Sequence, residues 1–182
     1  MKNTKSLIIL LLIFIYILII PTYGFLTSED INHDDTLKLS INDKFKDKTA
    51  FKMYECLEKY STEYEIPKHV FYNLAYLETR YKGPYDLNYK HNLVSRAGAL
   101  GPMQIMPSTA KFICKKSVSK QRLKNDVDFN VEISAKLLNL LYKKYNNWSL
   151  ACGYYNTGRP IINKYAKYCV SNIDYQNKWD AP

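Results

Sequence analysis

The sequence is poor in the side chains that usually build metal and redox sites. It contains only three histidines and four cysteines, and no two cysteines form a C-x-x-C pair. Zinc sites need such ligands at short, regular spacings, and none occurs around His33, His69 or His91. We therefore expect this protein to hold no metal ion and no other cofactor.

The four cysteines fit an oxidising compartment but do not define a pairing. They are widely spaced, at Cys56, Cys114, Cys152 and Cys169. Four cysteines allow three complete pairings, and the sequence leaves two disulfides, one or none open. Cys152 lies on an apolar helix face, where a free buried thiol is also an ordinary occupant.

A strand pattern is also missing from residues 50–182, as is any internal repeat. Apolar residues recur there at helical spacing instead, so we expect an all-α domain large enough for its own core. The pattern predicts helices over Ala50–Glu65, Lys68–Tyr81, Pro107–Lys116, Asp126–Asn146 and Trp148–Asn156, a short helical turn over Pro102–Met106, and a last helix that starts at Pro160 with Ile161, Ile162, Tyr165 and Cys169 on one side.

The long apolar run that the sequence does contain stands at its N-terminus. Leu7–Ile20 follows Lys2 and Lys5 and is 14 residues long. That length is typical of a signal peptide and short for a membrane span. We favour a cleaved signal over residues 1–24, with an inner-membrane anchor at residues 7–20 as the alternative. Residues 25–49 are polar and predict a flexible tether. Either way the remainder is expected to be exported.

The charge balance is basic, at +9 for the whole chain. Without residues 1–24 it is +7, from 24 basic and 17 acidic residues. A basic exported protein suits a polyanionic surface such as a cell envelope. The lysines and arginines are scattered among acidic residues, so we expect no nucleic-acid partner.

Glu78 is the acidic residue that departs from the amphipathic pattern. It follows Leu74 by four residues and Phe71 by seven, so it lies on the apolar face of its helix. Burial raises the pKa of a carboxyl group, and a raised pKa suits a general acid at neutral pH. The alternative is that Glu78 forms an ion pair with Arg80 or Lys82 at the helix end.

Glycine and proline frame the block Ser95–Ala110, which reads SRAGALGPMQIMPSTA. Gly98 and Gly101 allow a tight turn, and Pro107 suits the first position of a helix. Loops of this kind commonly line a cleft. The alternative is an ordinary connection between two helices, packed with core methionines.

Together these features resemble a soluble-type (SLT) lytic transglycosylase domain. An acid ends an apolar helix, the Ser95–Ala110 block follows, then DFN at residues 128–130, then W-x-L-A-x-x-x-Y-N-x-G over Trp148–Gly158. The resemblance covers residues 52–168. It implies a goose-type, lysozyme-like helical fold with an active-site cleft. It also implies non-hydrolytic cleavage of the β-1,4 bond between N-acetylmuramic acid and N-acetylglucosamine in peptidoglycan, with a 1,6-anhydro product.

The resemblance further implies a role for individual residues. Glu78 matches the single catalytic glutamate, which acts first as acid and then as base. The expected glycan-binding residues are Ser95, which faces the glycan, Met103 and Gln104, which line the cleft, Tyr155, whose hydroxyl lies near the acid, and Asn156, which is partly structural.

The chain departs from the family pattern at several positions. Pro102 replaces a usual leucine, and Gly153 stands where alanine is common, next to a tyrosine that crowds the helix. The loop after Glu78 is several residues longer than usual, which makes Asp86 a rival for the catalytic acid. The acidic motif that some relatives carry near the C-terminus is missing, and Asp174 is a weak substitute.

Two other functions remain open at this point. The same fold could serve a hydrolytic muramidase or a catalytically silent glycan-binding subunit of an envelope apparatus. As a transglycosylase, the protein could open the wall for secretion, conjugation or phage machinery, or recycle the wall in general. All of these place it in the periplasm or cell envelope, with peptidoglycan as partner.

Overall fold

The computed structural model describes residues 43–46 and 48–173, all within one compact unit, Leu39–Pro182. Within these residues the named helices are α1 (Thr49–Glu63), α2 (Lys68–Thr79), α3 (Pro107–Cys114), α4 (Lys120–Asn125), α5 (Val127–Tyr145), α6 (Trp148–Thr157) and α7 (Lys164–Cys169). The described part contains no strand, only isolated bridges at Leu100. The predicted all-α fold is confirmed.

Several predicted features lie outside the described residues. They are the signal or anchor segment at residues 1–24, most of the tether predicted at residues 25–49, and Asp174. Phe45, within that predicted tether, is buried and packs edge-to-face on Tyr85 with ring centroids 5.1 Å apart. None of the helices in the described ranges is long and apolar enough to cross a membrane.

Helix α5 is the centre of the domain, packing against α1, α3, α4 and α6. It begins where the Asp126 side chain accepts a hydrogen bond from Phe129 N at 3.1 Å, an ordinary N-cap. Lys143 and Lys144 in its last turn suit the negative end of the helix dipole. The side chains of Val131, Ile133 and Leu138 are fully buried and form the floor on which the other helices rest.

Asp128 in the first turn of α5 ties that helix to α1. Its carboxylate accepts hydrogen bonds from Tyr60 Oη at 3.1 Å and from Lys59 Nζ at 3.4 Å. The Cys56 thiol donates to the same group at 3.6 Å. Burial, together with the charge of Asp128, raises the pKa of Cys56 to about 12. This free thiol is therefore protonated and unreactive at neutral pH.

Two helices differ from the sequence-based prediction. Helix α4 was not predicted, because it is polar and buries only Leu123. The last helix begins at Lys164 rather than at Pro160, so the prediction that Ile161 and Ile162 share its buried face is wrong. Both isoleucines are exposed, and Asn163 caps α7 by accepting a hydrogen bond from Ala166 N at 2.9 Å.

The block after the long loop also differs from prediction in its local structure. Pro102–Met106 forms no helical turn. Gln104 N donates to Gly101 O at 3.1 Å, and Leu100 and Ile105 exchange backbone hydrogen bonds of 3.0 Å as an antiparallel bridge. Glycine at 101 fits this tight turn because its φ is +79°. Pro107 then starts α3 as predicted.

A disulfide joins the two C-terminal helices. Cys152 in α6 and Cys169 in α7 are paired, with Cα atoms 6.5 Å apart, whereas Cys56 and Cys114 are free. The pairing resolves the alternatives that the sequence left open. Because α7 is only six residues long, this bond and its contacts with α2 and α6 hold it in place.

We expect loss of this disulfide to destabilise the domain substantially. The bond joins cysteines 17 positions apart in the chain, which corresponds to about 3 kcal/mol of unfolding free energy in the chain-entropy description. Chemical denaturation of a Cys152→Ala/Cys169→Ala variant should show that loss. Reductant should lower the stability of the wild type and leave the double variant unchanged, and an equal response of both proteins would contradict the assignment.

Candidate active site

Glu78 lies in the last turn of α2 and is half-buried. Burial raises the pKa of its carboxyl group from 4.5 to about 7, and a hydrogen bond from Tyr165 offsets part of that rise. The helix ends immediately afterwards because Arg80 adopts the left-handed conformation, with φ at 59°. The carboxyl group therefore titrates near neutral pH, as the sequence predicted.

The structure does not support an ion pair at Glu78. No salt bridge among the described residues includes this carboxylate. The guanidinium of Arg80 lies 5.2 Å from the centre of the Tyr76 ring instead, as a cation–π contact. The alternative explanation for Glu78 is therefore excluded at this end of α2.

Thr79, the next residue, connects the helix end to the Ser95–Ala110 block. Its hydroxyl donates to Pro102 O at 2.8 Å and lies 2.9 Å from Tyr89 Oη. Because a threonine hydroxyl has a single proton, Tyr89 must be the donor in the second bond. The long loop after Glu78 thus folds back through Tyr89, and Thr79, the neighbour of Glu78, is bonded to the residue that precedes Met103.

Met103 is held from two sides by its backbone. Its carbonyl accepts a hydrogen bond from Tyr155 Oη at 2.7 Å, and its amide donates to Asn130 Oδ1 at 2.9 Å. Ser134 Oγ lies 2.9 Å from Tyr155 Oη and donates to it, since the tyrosine proton is already used. The Met103 side chain is fully buried, so this residue contributes to the site through its backbone, which the two hydrogen bonds hold in place.

Asn130, the last residue of the DFN segment, was not predicted as a site residue. Its amide nitrogen donates to Leu100 O at 2.9 Å and Leu123 O at 2.7 Å, and its oxygen accepts from Met103. A Cβ atom at Gly101 would lie 2.5 Å from that nitrogen, so only glycine fits. The asparagine of the DFN segment was the only sequence signal for this role. Spacing alone could not show that it bonds to Met103, which lies 27 positions earlier in the chain.

The structure places Ser95 and Gln104 at opposite ends of the same Gly/Pro turn. Ser95 Oγ accepts from Ala99 N at 3.0 Å, which closes the first turn. Gln104 has a left-handed φ of 49°, and its Nε2 donates to Gly101 O at 2.8 Å. Its side-chain oxygen meets no hydrogen-bond donor among the described residues and is available to a ligand.

The remaining candidates lie outside this hydrogen-bonded group. Asn156 is exposed and accepts a weak hydrogen bond from Asn163 Nδ2 at 3.4 Å. Asp86 turns its carboxylate back onto its own loop, where it accepts from Asn88 N at 3.0 Å. That contact is an Asx turn, which gives Asp86 a local structural explanation.

Tyr165 in α7 is the second residue that the sequence did not reveal as part of the site. Its hydroxyl donates a short hydrogen bond to Glu78 Oε1. Burial, followed by the nearby charge of Glu78, raises the pKa of Tyr165 well above its ordinary value. The sequence pattern placed this residue only on an apolar helix side.

The arrangement can transfer a proton without a metal ion. No group of three or more histidine, cysteine, aspartate or glutamate side chains in the described ranges is placed to hold one. The site consists of one carboxyl group that titrates near pH 7, two protonated tyrosines and a rigid turn of backbone. This set is chemically suited to acid–base catalysis on a neutral substrate.

Comparison with known proteins identifies the family and the fold. The family model described as "Transglycosylase SLT domain" matches residues 55–177. A search of curated proteins found no match. One similar solved structure is an inactive mutant of the lytic transglycosylase Slt from Pseudomonas aeruginosa, with 23% identity, a TM-score of 0.49, and coverage of 58% of this chain and 16% of that one.

A second similar structure is the 70-kDa soluble lytic transglycosylase in complex with bulgecin A. It has 22% identity and a TM-score of 0.51 over 74% of this chain and 21% of that one. The likeness shows a shared helical fold. This chain corresponds to about a fifth or less of the length of both proteins.

Proposed function

Because the chain belongs to the family of transglycosylase SLT domains, we propose that it is a peptidoglycan lytic transglycosylase with Glu78 as its single catalytic residue. The observation that carries the proposal is the half-buried Glu78 carboxyl, with a pKa of about 7, next to Thr79, whose hydroxyl donates to Pro102 O in the Gly/Pro turn. A carboxyl group of this kind is protonated often enough at neutral pH to act as an acid.

In the first step, protonated Glu78 donates its proton to the oxygen of the β-1,4 bond between N-acetylmuramic acid and N-acetylglucosamine. The bond from that oxygen to muramyl C1 breaks, and the N-acetylglucosamine side leaves as an alcohol. The positive charge that develops at C1 is balanced by the carboxylate that Glu78 has become. A pKa near the working pH makes both protonation states accessible within one turnover.

In the second step, the muramyl 6-hydroxyl attacks C1 of its own sugar while Glu78 accepts the hydroxyl proton. This closes the 1,6-anhydro ring and returns Glu78 to its protonated form, so no water is consumed. Ring closure is intramolecular, and good positioning of such a group can lower a barrier by about 7–11 kcal/mol in favourable cases. A second catalytic carboxylate, as in ordinary glycosidases, is therefore unnecessary.

The Gly/Pro turn is proposed as the glycan-binding element. The side-chain oxygen of Gln104, which accepts no hydrogen bond from a described residue, can bind a sugar hydroxyl or amide, and Ser95 borders the same turn. Met103 contributes through the backbone that Tyr155 and Asn130 hold. Asn156, exposed beside Tyr155, is proposed to contact the glycan or to support the 156–163 segment through Asn163.

We expect digestion of purified peptidoglycan to yield muropeptides with 1,6-anhydro ends, each 18 Da lighter than its hydrolysed counterpart because one water molecule is not added. Mass analysis of the released products checks this. Reducing N-acetylmuramic acid ends would instead identify a hydrolytic muramidase. Binding of peptidoglycan without any release of products would identify a silent glycan-binding subunit.

We further propose that the protein works in the periplasm or cell envelope. Supporting this are the apolar run Leu7–Ile20 and the nature of the proposed substrate. A role beside secretion or conjugation machinery, and an anchor formed by residues 7–20, remain predictions that fractionation of cells expressing the full chain can test.

A further inference from the structure

We infer that α3 and α4 form a surface that docks on an anionic lipid bilayer, with the ring of Phe112 at the boundary between headgroups and acyl chains. The inference goes beyond the proposed function and does not depend on Glu78. Helix α3 has eight residues, which is too short to cross a membrane, so the contact is with the bilayer surface.

The argument begins with the distribution of charge along the chain. Charges of both signs are mixed over most of the sequence, but between Asp86 and Asp126 there are eight lysines and arginines and no acidic residue. Six of the eight lie in Lys111–Lys124, the basic segment, which runs from the middle of α3 to the end of α4. Clusters of roughly four to eight basic residues are typical of surfaces that bind anionic lipids.

Most of this positive charge is not neutralised by the described part of the chain. Arg122 forms an ion pair with Asp126 at 3.4 Å. On α5, which packs against both helices, Glu132 is paired with Lys136. The lysines of the basic segment form no salt bridge with a described residue, and all but the last are exposed: Lys111, Lys115, Lys116, Lys120 and Lys124. They are therefore available to an external anion.

Phe112 is an apolar side chain at the centre of these lysines. It is 54% exposed, whereas its neighbour Ala110 is buried. The ammonium group of Lys115 lies 4.4 Å from the centre of the Phe112 ring. This arrangement suits a bilayer interface, because the ring can enter the apolar boundary while the flexible lysine side chains keep their ammonium groups at the level of the lipid phosphates.

The exposed ring favours a lipid bilayer over an anionic wall polymer. A polymer with carboxylates or phosphates could bind the lysines, but it offers no apolar phase for Phe112. A sugar would stack on a face of the ring, and the Lys115 ammonium already lies over that ring. Phenylalanine also lacks the polar tip with which tyrosine or tryptophan forms a hydrogen bond.

The basic segment is firmly connected to the Gly/Pro turn. Asn130 Nδ2 donates to Leu123 O in α4 at 2.7 Å and to Leu100 O in the turn at 2.9 Å. Docking of α3 and α4 would therefore hold this turn at a fixed distance from the bilayer.

The test is a Phe112→Trp variant of the full chain, mixed with vesicles of equal parts phosphatidylglycerol and phosphatidylcholine whose acyl chains carry bromine. Bromine quenches tryptophan on contact, so a docked α3 should lose most of the added emission. The emission of the unmodified chain, from Trp148 and Trp179, is subtracted. Vesicles of brominated phosphatidylcholine alone should cause no quenching. Salt at about 1 M, where the Debye length is about 3 Å, should restore the emission.

Neutralising two lysines should weaken the docking. At one fixed lipid concentration, adding Lys115→Gln and Lys116→Gln to Phe112→Trp should lower the ratio of docked to undocked protein roughly 25-fold, since each basic residue near an anionic surface contributes about fivefold. Lys143→Gln with Lys144→Gln is the matched control, because it removes the same charge from exposed residues at the end of α5. It should leave the ratio close to its original value.

Leu140→Trp is the control for attachment through another part of the chain. Leu140 is 42% exposed on α5, outside the basic segment, and its variant should stay unquenched even if residues 7–20 enter the bilayer. Absence of quenching in Phe112→Trp, equal quenching on neutral vesicles, or equal quenching in Leu140→Trp would overturn the inference. If the two Lys→Gln changes weakened co-sedimentation with peptidoglycan while Phe112→Trp stayed unquenched, the surface would bind wall carboxylates and the inference would be wrong.

Discussion

Glu78→Gln is expected to abolish lytic activity while the protein still binds peptidoglycan. Glutamine preserves the shape and can still accept the hydrogen bond from Tyr165, but it cannot donate or accept the transferred proton. General acid–base catalysis contributes roughly 10²–10⁴-fold per positioned group. Since Glu78 is proposed to serve both steps, we expect a loss of at least about 10³-fold. Release of soluble muropeptides measures activity, and co-sedimentation with insoluble peptidoglycan measures binding.

Asp86→Asn is the matched control for this experiment, because it makes the same chemical change in the rival carboxylate. The Asp86 side chain accepts a hydrogen bond from Asn88 N within its own loop, and an asparagine oxygen can do the same. Its activity should therefore remain close to wild type. If Asp86→Asn were inactive and Glu78→Gln active, the catalytic assignment would be wrong.

The same Glu78 variant should also change how stability depends on pH. The pKa of Glu78 is about 7 in the folded protein and 4.5 ordinarily, so between these values the folded state holds a proton that the unfolded state has released. The contribution of Glu78 to the free energy of unfolding is fully present below pH 4.5 and is lost as the pH rises through 7. Relative to wild type, Glu78→Gln should gain up to about 3 kcal/mol between pH 4 and pH 8. Denaturant titrations at both pH values test this.

The catalytic candidate could be predicted because its signal is local. Glu78 stands four and seven residues after Leu74 and Phe71, so its placement on the buried face follows from helix geometry alone. Its raised pKa in the structure agrees with that placement. The ends of α2, α3 and α5 were also close to prediction, because proline, aspartate and left-handed caps mark them.

Two residues of the site, Tyr165 and Asn130, could not be predicted, because their signals are not local. Tyr165 reaches Glu78 only because α7 begins at Lys164 and packs against α2. Pro160 followed by Ile161 and Ile162 mimics a helix start, and this shifted the predicted start by four residues. Asn130 likewise acts through three backbone contacts that exist only after the turn at Leu100–Met103 has folded.

Gly153 shows how a departure from the family pattern makes sense in the folded chain. A Cβ atom at this position would lie 1.8 Å from Ile161 O, a backbone atom that cannot move independently. The glycine thus allows the segment after Gly158 to cross α6 closely before α7 begins. Glycine at position 153 is therefore required by the chain path that places Tyr165 next to Glu78.

We accordingly expect Gly153→Ala to destabilise the protein by at least about 2 kcal/mol, as overpacking against backbone typically does. Helix propensity alone predicts the opposite sign, because alanine is favoured over glycine inside a helix by about 1 kcal/mol. Gly158→Ala is the control. It has a left-handed φ of +70° with no atom within 4 Å of an added Cβ, so it should lose only about 1–2 kcal/mol to backbone strain. Denaturant unfolding separates the two.

Activity gives this comparison its second readout. If Ile161 is pushed off α6, Tyr165 moves away from Glu78, and loss of its hydrogen bond should raise the pKa of Glu78. The pH above which kcat falls should therefore be higher in Gly153→Ala than in the wild type. Gly158→Ala leaves the Tyr165–Glu78 contact intact and should keep the pH dependence of kcat that the wild type has. If Gly153→Ala were more stable than the wild type and its kcat had the same pH dependence, the segment after Gly158 would not cross α6 at this point. The disulfide between Cys152 and Cys169 limits how far α7 can move, so adding reductant should enlarge the shift in Gly153→Ala.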